Sequence, residues 1–61
     1  MPIATIKLLE GRTDTQKKKL VETVTKAIQD AIGASPENIT VVLEEMQRTH
    51  YAVGGIRASD K

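Results

Sequence analysis

The sequence predicts an α+β fold: a single βαβ unit, two parallel strands joined by one long helix, followed by a C-terminal hairpin and assembling as an oligomer. Four observations carry that expectation. An alternating apolar run opens the chain and a second β-branched run begins at residue 39. Between them, aliphatic residues recur at three- and four-residue spacing, and a Gly-Gly pair sits in the tail.

Residues Ile3 to Leu9 read I-A-T-I-K-L-L. Ala4, Ile6 and Leu8 share one face, and Ile3, Thr5, Lys7 and Leu9 share the other, which predicts a strand with one strongly apolar side. The glycine in E-G-R-T turns the chain. Thr13 and Gln16 then have the spacing of a capping box, so a helix should start at about Thr13. Along it, Leu20, Val24, Ala27, Ile28, Ala31 and Ile32 form one stripe expected to face a sheet. Lys17, Lys18, Lys19, Glu22, Lys26 and Asp30 take the solvated side, with Glu22 and Lys26 spaced as an i,i+4 pair.

Gly33 suits the left-handed position that closes a helix. Ser35 and Pro36 resemble the cap and first residue of a short turn, and Ile39 to Met46 forms the second strand. A connection containing a helix joins neighbouring parallel strands through a right-handed crossover. In the tail, Gly54 and Gly55 can take the positive angles of a tight turn, and a hairpin or coil follows.

The chain has 61 residues, enough for one domain spanning 1–61, which buries only about 60% of its surface. Small folds compensate with disulfides, metals or oligomerisation. There is no Cys and one His, His50, which leaves no disulfide and no metal cage; no metal site is expected, and oligomerisation is the remaining route. Tyr51 is the sole aromatic residue and the formal net charge is +1. Neither base-stacking platforms nor a basic patch favours a nucleic-acid partner. No apolar run reaches the roughly 20 residues that span a bilayer, and the first segment lacks a signal-peptide pattern. A soluble, cytoplasmic protein is expected.

Pro2 follows the initiator methionine directly. Removal of Met1 exposes a secondary amine held by the pyrrolidine ring. Model α-amino groups titrate at roughly 7.7–8.0, and burial or neighbouring positive charge favours the neutral form, which is a general base. Taken alone, a proline here reads more readily as the start of an edge strand than as a base.

The segments M-P-I-A-T-I-K-L-L-E-G-R-T-D-x-Q-K, V-V-L-E-E-M and H-Y-A-V-G-G together resemble the 4-oxalocrotonate tautomerase family over nearly the whole chain. The specificity lies in the combination: proline after Met1, L-E-G-R-T at a fixed distance from it, the chain length and the G-G tail. The resemblance implies a cofactor-independent isomerase in which the terminal proline shuttles a proton between positions of a dienol or unsaturated keto acid, in aromatic-compound degradation. It also implies a homohexamer built as a trimer of dimers, acting on a small carboxylate.

By that resemblance, Arg12 engages the substrate carboxylate from an adjacent subunit, a role suited to a planar fork of donors. Without it, Arg12 reads as a loop residue pairing with Glu10 or Asp14. Leu9 matches the position whose backbone N–H contacts substrate. Tyr51 matches a bulky aromatic forming an apolar wall behind the proline, and is equally a half-buried interface tyrosine. Thr40 departs from the pattern: well-known members carry a second arginine there. A hydroxyl offers one hydrogen bond and no charge, so Arg48 or Arg57 of the tail are the residues that could replace it. His50 reads as structural, and Glu44 and Glu45 point to opposite sides of a strand and form no acid–base pair.

Two other readings use the same residues. One is a related proline-dependent hydratase or decarboxylase, which needs a water-activating carboxylate not apparent near Pro2. The other is a non-catalytic self-assembling module, for which the strand and helix pattern alone is sufficient.

Overall fold

The computed structural model describes all 61 residues. Strand β1 (Ile3–Leu9), helix α1 (Asp14–Ile32) and strand β2 (Thr40–Met46) form the βαβ unit, and β3 (Ala52–Val53) with β4 (Ile56–Arg57) form the terminal hairpin. β1 and β2 are parallel, with Ile3 opposite Thr40 and Leu9 opposite Met46. β3 and β4 are antiparallel. The α+β architecture read from the sequence is the one observed, with the second strand starting one residue later than Ile39. That residue instead closes the 3₁₀ turn Pro36–Asn38, donating its N–H to the Pro36 carbonyl at 3.1 Å.

Local chemistry accounts for each junction. Thr13 Oγ accepts the Gln16 N–H at 3.1 Å while Gln16 Oε1 accepts the Thr13 N–H at 2.9 Å, a reciprocal cap that opens α1 directly after Arg12. Gly33 closes it at φ 73°, its N–H bonded to the Gln29 carbonyl. Gly54 and Gly55, at φ 63° and 84°, supply the two positive angles of a two-residue hairpin turn.

The inward stripe of the helix differs from the expected one. Lys17, Leu20, Val21, Val24, Thr25 and Ile28 are half-buried, whereas Ala27, Ala31 and Ile32 are exposed. Alanines and a terminal isoleucine fit either side of a 3.6-residue repeat, and the sheet settles the phase. Two polar members of the true stripe are satisfied: Thr25 donates its hydroxyl to the Val21 carbonyl at 2.8 Å, and Lys17 pairs with Glu45. Lys17 is therefore a helix–sheet contact and not part of the solvated face. Lys26 lies 4.0 Å from Asp30 and does not pair with Glu22.

Pairing in register puts Ala4, Ile6, Leu8, Val41, Leu43 and Glu45 on the sheet face that meets α1. The opposite face carries Ile3, Thr5, Lys7, Leu9, Thr40, Val42, Glu44 and Met46, and no element of the chain covers it. Lys7 and Glu44 face each other across it at 4.0 Å, so Glu44 and Glu45 do point to opposite sides. None of the 61 residues is fully buried. The protomer exposes 4718 Å², against about 3,900 Å² for a compact monomer of this mass. Its radius of gyration is 14.5 Å, against about 10.5 Å expected for this length. The protomer is a thin slab, 43 × 24 × 14 Å, whose core is half a core.

Candidate active site

Pro2 precedes β1, and its carbonyl accepts the Thr40 N–H at 3.0 Å. This bond extends the parallel ladder by one residue and holds Pro2 beside the start of β2. Both Pro2 and Thr40 are half-buried.

The other candidates lie elsewhere. Leu9 ends β1 a full strand from Pro2, about 23 Å at 3.3 Å per residue, and Arg12 follows in the loop leading to α1. The Glu10 N–H bonds the Met46 carbonyl at 2.8 Å. Successive N–H groups in a strand point to opposite edges, so the Leu9 N–H is directed to the outer edge of β1, where no strand of this chain lies. Its side chain is half-buried.

Arg12 is exposed and pairs with neither Glu10 nor Asp14. Its guanidinium makes no hydrogen bond within the chain. Tyr51 is 41% exposed. It opens the hairpin segment, accepting at its carbonyl the Ala58 N–H at 2.8 Å.

A single protomer thus brings Thr40 to Pro2 and leaves Leu9 and Arg12 at the far end of the sheet. The tail carrying Tyr51 also departs from that far end, after Met46. No pocket is formed on one chain. Leu9 presents its N–H at the outer edge of β1, and Arg12 carries an exposed guanidinium with no partner in the chain.

Two features escaped the sequence reading. The Glu10 carboxylate accepts the Arg48 N–H at 3.4 Å across 38 positions, a contact that no periodicity announces. Arg57 is engaged by Asp60 through two hydrogen bonds, Nε to Oδ2 at 2.9 Å and Nη2 to Oδ1 at 3.3 Å. The i,i+3 spacing of those charges was the available signal.

The parallel βαβ slab with a short terminal hairpin is the fold of the tautomerases. The YwhB homologue of 4-oxalocrotonate tautomerase superposes with a TM-score of 0.93 at 57% identity, covering 98% of both chains. A heterohexamer 4-oxalocrotonate tautomerase from Chloroflexus aurantiacus J-10-fl gives 0.92 at 30% identity, covering 98% of this chain and 97% of that one. In sequence, the 2-hydroxymuconate tautomerase of Bacillus subtilis strain 168 is 58% identical over 60 residues, covering 98% of this chain and 97% of that protein. A family model described as tautomerase enzyme matches residues 2–61. This chain belongs to the tautomerase family, and its activity is that of an isomerase of the tautomerase class. No helix is long and apolar enough to cross a membrane.

Proposed function

We propose that the chain is a 4-oxalocrotonate-tautomerase-like isomerase whose general base, after removal of Met1, is the Pro2 nitrogen. The observation that carries this reading is the position of Pro2. It stands at the head of β1, held to β2 by the Thr40 N–H, with the family match beginning at that residue.

In the proposed reaction the neutral amine takes the proton of the 2-hydroxyl of a 2-hydroxydienoate. The electron pair moves along the conjugated system, and the prolinium returns the proton to a carbon farther along, leaving an unsaturated 2-keto acid. The step transfers one proton and no net electrons, so it calls for no redox cofactor. Arg12 of another copy binds the substrate carboxylate bidentately and favours the neutral amine by its charge. The Leu9 N–H donates to a substrate oxygen, Thr40 offers a hydroxyl, and Tyr51 walls the apolar side.

The copies assemble as a homohexamer, a trimer of dimers. Support comes from the uncovered sheet face, the absence of any fully buried residue, and the hexameric state of the Chloroflexus relative. The test is ketonisation of 2-hydroxymuconate and phenylenolpyruvate by wild type and Pro2→Ala. Pro2→Ala leaves a mobile primary amine in place of the ring-held secondary one and should lower kcat by about 10² or more. Equal activity of the two proteins would remove Pro2 from the mechanism.

A further inference from the structure

We propose that Arg48 is a substrate-binding residue which, together with Arg12, holds the single carboxylate end of a monoanionic 2-keto or 2-hydroxy acid. This rests on the site reading above.

Three placements lead to it. First, the end of the sheet that carries Pro2 and Thr40 has no cationic side chain of its own: residues 1–6 and 34–41 contain no Lys, Arg or His, and Glu37 is their one charged side chain. Second, of the two tail arginines, Arg57 already has its guanidinium on both oxygens of Asp60. Arg48 makes no side-chain hydrogen bond and no ion pair. Third, the Arg48 backbone is fixed beside the Arg12 loop. Leu9 and Met46 are register partners, the Glu10 N–H bonds the Met46 carbonyl at 2.8 Å, and Glu10 Oε1 accepts the Arg48 N–H at 3.4 Å.

Arg12, in the loop after β1, and Arg48, opening the 3₁₀ turn Arg48–His50 after β2, therefore leave the same end of the sheet, each with an uncommitted guanidinium. The acidic side chain between them, Glu10, is turned to the Arg48 backbone. Two planar cations carried at one end of the sheet are suited to share one carboxylate, each offering a fork of donors. Bracketing a dicarboxylate needs a further cation beside Pro2, where this chain has Thr40. Arg48 thus adds grip on the carboxylate that Arg12 binds and does not replace a charge at position 40.

The test measures binding without turnover. Benzoylformate, a 2-keto monocarboxylate that cannot enolise, and cis,cis-muconate, a dicarboxylate without the reactive hydroxyl, are titrated calorimetrically into the assembled wild type, Arg48→Ala and Arg48→Lys. Arg48→Ala should weaken both ligands by about tenfold, the scale of a lost charge-assisted hydrogen bond, with part of the loss restored in Arg48→Lys. In turnover the loss should fall on KM rather than kcat. Equal affinity of wild type and Arg48→Ala for benzoylformate overturns the proposal, whether both bind or neither does. A loss confined to cis,cis-muconate also overturns it, because Arg48 would then serve a distal carboxylate. Since no proton moves in this measurement, its failure leaves the Pro2 assignment standing, and failure of the Pro2→Ala test leaves this one readable.

Discussion

Thr40 donates its peptide N–H to the Pro2 carbonyl at 3.0 Å, and its side chain lies on the sheet face that α1 does not cover. The residue that fixes the proline is thus the same residue that withholds a positive charge from its surroundings. Backbone and side chain have separable consequences: the N–H survives almost any substitution at 40, whereas the charge at that end is set by the side chain alone.

Thr40→Arg should accordingly keep the Pro2 tether and shift substrate preference. We expect the ratio of kcat/KM for 2-hydroxymuconate over phenylenolpyruvate to rise about tenfold, the scale of one charge-assisted contact to a second carboxylate. Steady-state kinetics on both substrates check this, with sedimentation showing that the assembly is retained. An unchanged ratio would mean that position 40 does not face the substrate.

Val42 lies on the same uncovered face, 40% exposed and opposite Thr5. If that face is closed by other copies, Val42→Asp buries a charge without a partner, which is strongly unfavourable. Analytical ultracentrifugation should show a smaller species than wild type at equal concentration, and activity should fall with it. A full-size Val42→Asp assembly would place the interface elsewhere.

The reciprocal cap between Thr13 and Gln16 begins one residue after Arg12. Thr13→Ala should cost about 1 kcal/mol of stability, lowering Tm by roughly 4–8 °C for a domain of this size. Thermal unfolding must be compared at matched protein concentration, because the proposed assembly would contribute to the midpoint. Thr13→Ser keeps the hydroxyl and should recover most of the loss.

How legible this was in the sequence depended on range. β1, the Thr13–Gln16 cap, the Gly33 stop and the Gly54–Gly55 turn are decided by residues within a few positions of one another, and each was readable. The helix phase was not, because Ala27 and Ala31 are small enough to lie on either side and only the placement of Ala4, Ile6, Val41 and Leu43 selects Leu20, Val21, Val24, Thr25 and Ile28. The solvated reading of Lys17 failed for a related reason: its partner Glu45 is 28 positions away. At the candidate site, residue types pointed to Pro2 and Arg12, while their placement at opposite ends of one strand needed the parallel register of β1 and β2. The Glu10–Arg48 contact likewise exists only once those strands are paired.

The proposed Pro2 base works with an Arg12 contributed by a different copy. Subunit mixing tests it most directly. Pro2→Ala and Arg12→Ala are each purified, unfolded together in equal amounts and reassembled, and ketonisation of phenylenolpyruvate is followed. Random association should return about a quarter of wild-type activity, since sites pairing an intact Pro2 with an intact Arg12 from another chain form again in the symmetric assembly. If the mixture stays as inactive as its two parents, the proline and the arginine act within one chain, which contradicts a site shared between copies.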